Sequence, residues 1–136
     1  MSTPRLVDSF YARFWNSGDE SAADALLTDD FSFRGALGTL ARGREGFLEY
    51  VRSVRASLAE YHAEILSCVA EGTQAFARMK FSGVHVAPFR GFAPTGRPVE
   101  WEAAALFTFR GERIAALWVL GDLAGLDARL KQNAGQ

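Results

Sequence analysis

The sequence predicts a single α+β domain in which three N-terminal helices pack inside a strongly curved antiparallel sheet. Apolar residues recur every three or four positions in the first half of the chain, and from Tyr61 onward they alternate with polar residues. These are the periods of helices and of strands, respectively. Helices followed by paired strands are typical of α+β folds, in which the helices cover the apolar face of the sheet. A length of 136 residues suits one domain, spanning residues 1–136.

Three segments carry the helical signals. The first starts at Thr3 and Pro4, a typical helix opening, and places Leu6, Phe10 and Phe14 four residues apart. A short second helix is predicted after the Asn-Ser-Gly stop at positions 16–18. The third has the clearest stripe, with spacings of four, three and four: Phe47, Val51, Val54 and Leu58.

A short strand is predicted at residues 31–33, between the second and third helices, and three long strands are predicted after the helices. The first long strand has an apolar face of Ala75, Ala77, Met79, Phe81, Gly83 and His85, and the second one of Trp101, Ala103, Ala105, Phe107 and Phe109. The last strand is predicted to place on one face Ile114, Ala116, Trp118, Leu120 and Asp122. If Trp101 faces outward instead, Glu102 and Thr108 form an inner polar cluster. Parity alone does not choose between these orientations, because one bulge reverses it.

Composition excludes several classes of partner. The chain has 15 basic and 16 acidic residues and a net charge of −1, so no nucleic-acid partner is expected. No apolar stretch approaches a membrane span, and residues 1–5 lack an apolar leader core, so we expect no membrane partner and a cytoplasmic location. Two histidines and one cysteine at scattered positions predict no metal site.

The aromatic content predicts a ligand cavity. Long twisted strands curl around the helices, and the resulting cone, closed at one end, leaves a pocket at the other. Eleven Phe and three Trp exceed what a minimal core requires, although they would also suffice to fill the pocket themselves. The residues predicted to contact a hydrophobic small molecule are Phe14, Trp15, Phe33, Phe47, Val51, Phe81, Trp101, Phe107 and Trp118.

Three segments resemble a known family. Residues 10–19 and 26–31 resemble the opening of the nuclear-transport-factor-2-like superfamily. The Pro-Thr-Gly-Arg loop at 94–97 and the Trp-x-x-x-Asp ending at 118–122 resemble SnoaL-like polyketide cyclases. The resemblance covers about residues 4 to 131. It implies a cone-shaped, cystatin-like fold, a homodimer, and a cavity for a hydrophobic carbonyl compound.

The resemblance also implies a function. SnoaL-like cyclases close a ring by an intramolecular aldol reaction without a cofactor, so the chain is expected to be a cyclase or isomerase that works by acid/base catalysis. In that family the aspartate of the Trp-x-x-x-Asp ending transfers the proton, which makes Asp122 the catalytic candidate. The alternatives are a binding protein that holds an apolar metabolite without reaction and a purely structural role.

Three residues are candidates for chemistry, each with a structural alternative. Asp122 shares the predicted cavity face of Trp118, but it could equally cap a short terminal helix. His85 could orient or polarise a carbonyl, or be a hydrogen-bonded core residue. Tyr11 has the spacing of the oxyanion-hole tyrosine of ketosteroid isomerases, or it braces the first helix against the sheet.

The sequence departs from both related enzyme types. Ketosteroid isomerases carry their base where this chain has Arg34 and Gly35, and no Asp or Glu occurs between Asp30 and Glu45, so that reaction is disfavoured. The best-known cyclases have a His and a Gln where Leu106 and Thr108 stand here.

Overall fold

The computed structural model describes residues 3–135, which form four α-helices and one six-stranded sheet. Helix α1 (Arg5–Ser9) continues as a π-helix (Phe10–Asn16), and a 3₁₀ turn (Glu20–Ala22) runs into α2 (Ala23–Leu26). The two longer helices are α3 (Gly43–Ser57) and α4 (Leu123–Ala134).

The strands of the curved sheet lie in the order β2-β1-β6-β5-β4-β3. Their bounds are β1 (Leu27–Arg34), β2 (Leu40–Arg42), β3 (Leu58–Glu71), β4 (Gln74–His85), β5 (Pro98–Arg110) and β6 (Arg113–Gly121). Strand β1 runs parallel to β6, and the other neighbours are antiparallel.

The predicted α+β class and curved sheet are confirmed. The helices are spread through the chain rather than confined to its N-terminal part, and the sheet includes one parallel pair. Strands β1 and β2 separate α2 from α3, and α4 follows the sheet. In β1, Phe31 and Phe33 are buried and Ser32 between them is exposed. This alternation makes β1 a half-buried strand that joins the sheet beside β6, with Ser32 opposite Ala116.

The predicted faces of β4 and β5 are confirmed. Met79 and Phe81 on β4, and Trp101 and Phe107 on β5, are all buried on the inner face. Glu102 is exposed on the outer face. The alternative orientation, which would turn Glu102 inward as part of a polar cluster, is therefore wrong.

The predicted inner face of β6 is wrong beyond Ile114. Leu117 and Val119 are buried, whereas Trp118 is 44% exposed, the reverse of the predicted parity. The pairing between β5 and β6 shifts by one residue next to the hairpin turn, which leaves Ala115 without an opposite residue. A bulge of this kind moves every later side chain to the other face.

The π-helix brings four aromatic side chains to the interior: Phe10, Tyr11, Phe14 and Trp15. Its wider turn is closed by a hydrogen bond from the Ser17 N–H to the Ala12 carbonyl, at 3.1 Å, and it buries both Tyr11 and Trp15. π-Helical turns are rare and frequently occur at functional sites. Gly18, with φ of +70°, ends the segment in a conformation that favours glycine.

Phe47 lies at the centre of the core and is fully buried. Its ring contacts five others, with centroid distances of 4.9 to 6.2 Å: Phe10, Phe14, Trp15, Phe31 and Phe33. The residue therefore connects the first helix, β1 and α3 in one aromatic cluster.

Candidate functional site

A small enclosed cavity of about 20 Å³ lies between the helices and the inner face of the sheet. This volume is just enough for one water molecule. The cavity is lined almost entirely by aromatic and aliphatic side chains, namely Phe10, Tyr11, Trp15, Phe33, Ala36, Leu37, Tyr50, Val54, Tyr61, Phe81, Trp101, Leu117 and Val119.

Two hydrogen-bond donors of the cavity wall are unpaired. Within residues 3–135, the Tyr11 hydroxyl and the Trp101 indole N–H are buried without a hydrogen-bond partner. Both rings contact Phe81, with centroid distances of 6.3 Å for Tyr11 and 5.5 Å for Trp101. An unpaired buried polar group costs stability, so its presence in a native structure calls for a functional reason.

The tyrosines of the cavity wall stay neutral. Burial raises the pKa of Tyr11 and of Tyr61 far above the usual tyrosine value. Burial also raises the pKa of Tyr50 to about 12. At neutral pH these phenols are protonated, so Tyr11 can donate a hydrogen bond but cannot accept a proton as a phenolate.

Four of the nine predicted ligand-contacting residues line the cavity: Trp15, Phe33, Phe81 and Trp101. Four others, Phe14, Phe47, Val51 and Phe107, are buried in the surrounding core and are absent from the cavity wall. Trp118 lies on the outer face of the sheet because of the β6 bulge, so its prediction as a pocket residue is wrong.

Several residues of the cavity wall were not predicted from the sequence. Of these, Tyr50 has the clearest sequence signal. Tyr50 lies three residues after Phe47 and four before Val54, on the same helical stripe. Leu117 and Val119 could not be found from the alternation of β6, because the bulge at Ala115 reverses it.

His85 is fully buried at the end of β4 but does not line the cavity. Its Nδ1 lies 3.3 Å from the Thr95 hydroxyl, and its Nε2 has no hydrogen-bond partner among the described residues. The Phe89 ring contacts both His85 and the cavity residue Trp101, with its centroid 6.3 Å from each. The predicted position on the inner face is therefore confirmed, whereas direct access to the cavity is not found.

Asp122 lies outside the cavity, contrary to prediction. Its side chain is exposed and accepts a hydrogen bond from the Gly125 N–H at 2.9 Å, as the N-cap of α4. The backbone leaves β6 after Gly121 and turns into α4, so the carboxylate bonds the first turn of that helix. The structural alternative that the sequence left open, a helix cap, is the one observed.

We expect Asp122→Ala to lower the free energy of unfolding by about 1 kcal/mol, the usual cost of losing an N-cap. Asp122→Asn should leave stability almost unchanged, because asparagine caps helices equally well. Chemical denaturation followed by circular dichroism measures both. If the alanine variant matched the wild type, the hydrogen bond to Gly125 would contribute nothing to stability.

A surface groove of about 670 Å³ adjoins the cavity. It runs between α3 and the loops at residues 35–39 and 86–97. Three residues line both spaces and separate them: Leu37, Tyr50 and Val54. The groove also has polar walls, contributed by Thr39, Glu49, Ser53, Ser57 and Arg90.

The chemistry available inside the cavity is hydrogen bonding rather than ionic. No Asp, Glu, His, Lys or Arg within residues 3–135 lines it. Across the same residues, no three His, Cys, Asp or Glu side chains group as metal ligands. The site can bind an apolar molecule and polarise one oxygen atom through neutral donors.

No helix in this part of the chain, residues 3–135, has the length and apolar character to cross a membrane.

Solved structures share this architecture. A protein proposed as a polyketide cyclase from Acidithiobacillus ferrooxidans superimposes with a TM-score of 0.85 at 21% identity, covering 98% of this chain and 99% of its own. TsrD from Streptomyces laurentii gives 0.82 at 28% identity, covering 95% and 98%. IdmH, a proposed polyketide cyclase from Streptomyces antibioticus, gives 0.81 at 27%, covering 93% and 96%.

The comparison by sequence agrees with the structural one. No curated protein matches the chain. The model of the SnoaL-like polyketide cyclases matches residues 5–130, which include every element from α1 to β6 and most of α4. The chain belongs to the SnoaL-like polyketide cyclase family.

Proposed function

We propose that the protein binds a hydrophobic carbonyl compound in the aromatic cavity and acts on it as a cofactor-independent cyclase or isomerase. The observation that carries the proposal is the pair of buried donors without a partner in the cavity wall, the Tyr11 hydroxyl and the Trp101 N–H. A ligand carbonyl oxygen that reached either donor would supply the acceptor that it lacks. Family membership supports the same class of reaction.

The two donors would act on the charge that develops during reaction. When the carbon beside a carbonyl loses its proton, negative charge builds on the oxygen, and preorganised donors in a dry site stabilise it. Because the pKa of Tyr11 is raised by burial, its hydroxyl retains its proton and serves as a neutral donor. The surrounding aromatic contacts hold both rings in place.

Removing that proton requires an acceptor. We assign this role to His85, whose buried Nε2 has no partner in the described part of the chain. The imidazole contacts the Phe89 ring, which in turn contacts Trp101 in the cavity wall. For this role the Phe89 ring would have to move aside, so that the imidazole could reach a bound ligand.

A second function, storage or presentation of an apolar metabolite without reaction, is favoured by one observation. The residues that line the cavity include none that is charged at neutral pH within the described chain. Binding would then depend on aromatic area, at about 25 cal/mol per Å² buried, with Tyr11 and Trp101 only orienting the ligand.

Fused-ring ketones test both functions. Wild-type protein should bind 1-indanone and 1-tetralone about 3- to 10-fold more tightly than indane and tetralin, because one hydrogen bond to the carbonyl is gained. Tyr11→Phe should lose this preference while still binding the hydrocarbons. Titration calorimetry measures the affinities, and equal affinity for ketone and hydrocarbon in the wild type would overturn the carbonyl site.

Catalysis is tested by incubating the same ketones with the protein in deuterated water. The wild type should speed deuterium uptake beside the carbonyl, and Tyr11→Phe should slow it about 100-fold, the usual loss for one oxyanion donor. His85→Gln should slow it without changing affinity. Mass spectrometry measures the uptake. Ketone-selective binding without any uptake would establish the second function and exclude the first.

We also propose that the protein is a homodimer through the outer face of the sheet. A row of apolar side chains crosses four strands there, each directly opposite the next: Val69, Phe76, Leu106 and Trp118. Three of the four are 43–60% exposed. Such a continuous apolar surface is typical of an interface.

The charges beside this row favour a second copy as the partner. Arg78 lies 4.0 Å from Glu102, and Lys80 lies 3.7 Å from Glu64. Opposite charges therefore compensate each other within one chain, and two copies would meet without net repulsion. A two-fold interface uses the same patch on both chains, which a self-neutral surface permits.

A further inference from the structure

The cavity is too small for the ligand that its chemistry suits. Its volume of about 20 Å³ accommodates a single water molecule, whereas small-molecule sites typically measure about 300–1,000 Å³. The adjoining groove of about 670 Å³ lies within that range. Only a wall of three side chains, Leu37, Tyr50 and Val54, is common to the two spaces.

Tyr50 is the largest part of this wall, and it rests on a glycine. A Cβ atom added to Gly35 would lie 2.5 Å from the Tyr50 hydroxyl and 2.6 Å from its Cζ. The ring also contacts Phe33 and Trp15, with centroids 5.1 and 5.8 Å away. The phenol therefore occupies its position because residue 35 has no side chain.

The loop that carries Leu37 has a second glycine contact. A Cβ atom added to Gly121 would lie 2.7 Å from the Ala36 carbonyl oxygen. Two hydrogen bonds hold the loop's own shape, from the Gly35 N–H to the Thr39 carbonyl at 2.8 Å and from the Gly38 N–H to the Gly35 carbonyl at 2.9 Å. The loop therefore keeps its own shape and packs closely against β6 only because residue 121 has no side chain. We call residues 35–39 together with Tyr50 the partition.

The groove beyond the partition has hydroxyl groups, one ion pair and the carboxylate of Glu49. The Ser53 and Ser57 hydroxyls donate to the Tyr50 and Pro88 carbonyls, and their oxygens remain able to accept. The Arg90 guanidinium is held by the Asp127 carboxylate in two hydrogen bonds of 2.6 and 3.0 Å. Such a pair leaves little positive charge for a ligand. The Glu49 carboxylate, which has no ion pair among the described residues, would repel an anion, so the groove suits a hydroxylated chain without negative charge.

We propose that the ligand displaces the partition and occupies the cavity and the groove as one elongated site. The substrate class is then a neutral amphipathic carbonyl compound, with its carbonyl at Tyr11 and Trp101 and a hydroxylated chain along Ser53 and Ser57. The carbonyl end rests on the function proposed above. The joining of the two spaces does not, because it is inferred from the wall that they share and from the small volume of the cavity.

The test uses indane and 1-indanone, each with and without a 6-hydroxyhexyloxy chain at ring position 5. Wild-type protein should bind the chain-bearing form of each ring about tenfold more tightly, since two or three methylenes become buried in the groove. A chain ending in carboxylate should bind less tightly than the alcohol. Because the gain is measured on indane as well, loss of carbonyl selectivity would refute the proposed function and leave this inference standing.

The partition itself is tested by association rates. Tyr50→Ala should bind the chain-bearing indane about tenfold faster than the wild type, because no partition has to open. Gly35→Ala, which forces the phenol aside, should also bind faster. The control variant Leu120→Ala, on the outer face of the sheet, should match the wild type. Stopped-flow fluorescence of Trp15 and Trp101 measures the rates. Equal affinity with and without the chain, or equal rates for wild type, Tyr50→Ala and Gly35→Ala, would overturn the inference.

Discussion

Phe47→Ala is expected to lower the free energy of unfolding by about 3–5 kcal/mol, the usual cost of truncating a fully buried phenylalanine. The ring contacts five other aromatic rings and is inaccessible to solvent. Its loss leaves a void that three elements of the fold would have to fill. Since domains of this size are stable by about 5–15 kcal/mol, the variant should be close to unfolding.

Guanidinium denaturation at a fixed protein concentration measures this loss. Phe47→Leu should cost much less, because most of the volume remains. Leu40→Ala is a surface control, since Leu40 is 78% exposed and should change stability by less than about 0.5 kcal/mol. A cost for Phe47→Ala as small as that of Leu40→Ala would show that the aromatic cluster is not the centre of the core.

Trp118→Glu is expected to convert the proposed dimer into a monomer. The substitution places a carboxylate in the middle of the apolar row, where a second copy would have to bury it. Burying an unpaired charge costs several kcal/mol, which is a loss of more than a hundredfold in association. Light scattering should give about twice 14.9 kDa for the wild type and 14.9 kDa for the variant.

Val86→Glu is the matched control for this experiment. Val86 is 48% exposed, similar to Trp118, but it lies in the loop after β4 rather than in the row. The control should remain dimeric. A monomeric wild type at micromolar concentration, or a dimeric Trp118→Glu protein, would refute the proposed interface.

The residues that sequence reasoning placed well are those whose environment depends on local period. Phe81 and Trp101 lie on long strands with unbroken alternation, so their burial and their place at the cavity follow from the pattern. Tyr11 and Trp15 were placed on the inner side by their helical neighbours. The apolar stripe of α3 would have predicted the inward position of Tyr50 equally well, although Tyr50 was not among the predicted residues.

The residues that could not be placed depend on events elsewhere in the chain. The single extra residue at Ala115 reversed the faces of β6, so Trp118 moved from the predicted cavity to the predicted interface. Asp122 bonds the helix that follows it instead of facing a ligand. Neither the bulge nor the helix cap produces a periodic pattern in the sequence. Both depend on how the chain pairs and turns in three dimensions.

The order of residues is therefore sufficient for the α+β class, for the buried sides of β4 and β5 and for an aromatic interior, because each arises from spacing within one segment. The cavity, in contrast, does not follow from the spacing of residues within any one segment. Its wall combines the π-helix, β1, the loop at 35–39, α3 and four further strands, and its donors matter only because nothing else in the packed interior satisfies them. Which side chains meet there is a property of the assembled layers, since no local pattern records a contact between distant segments.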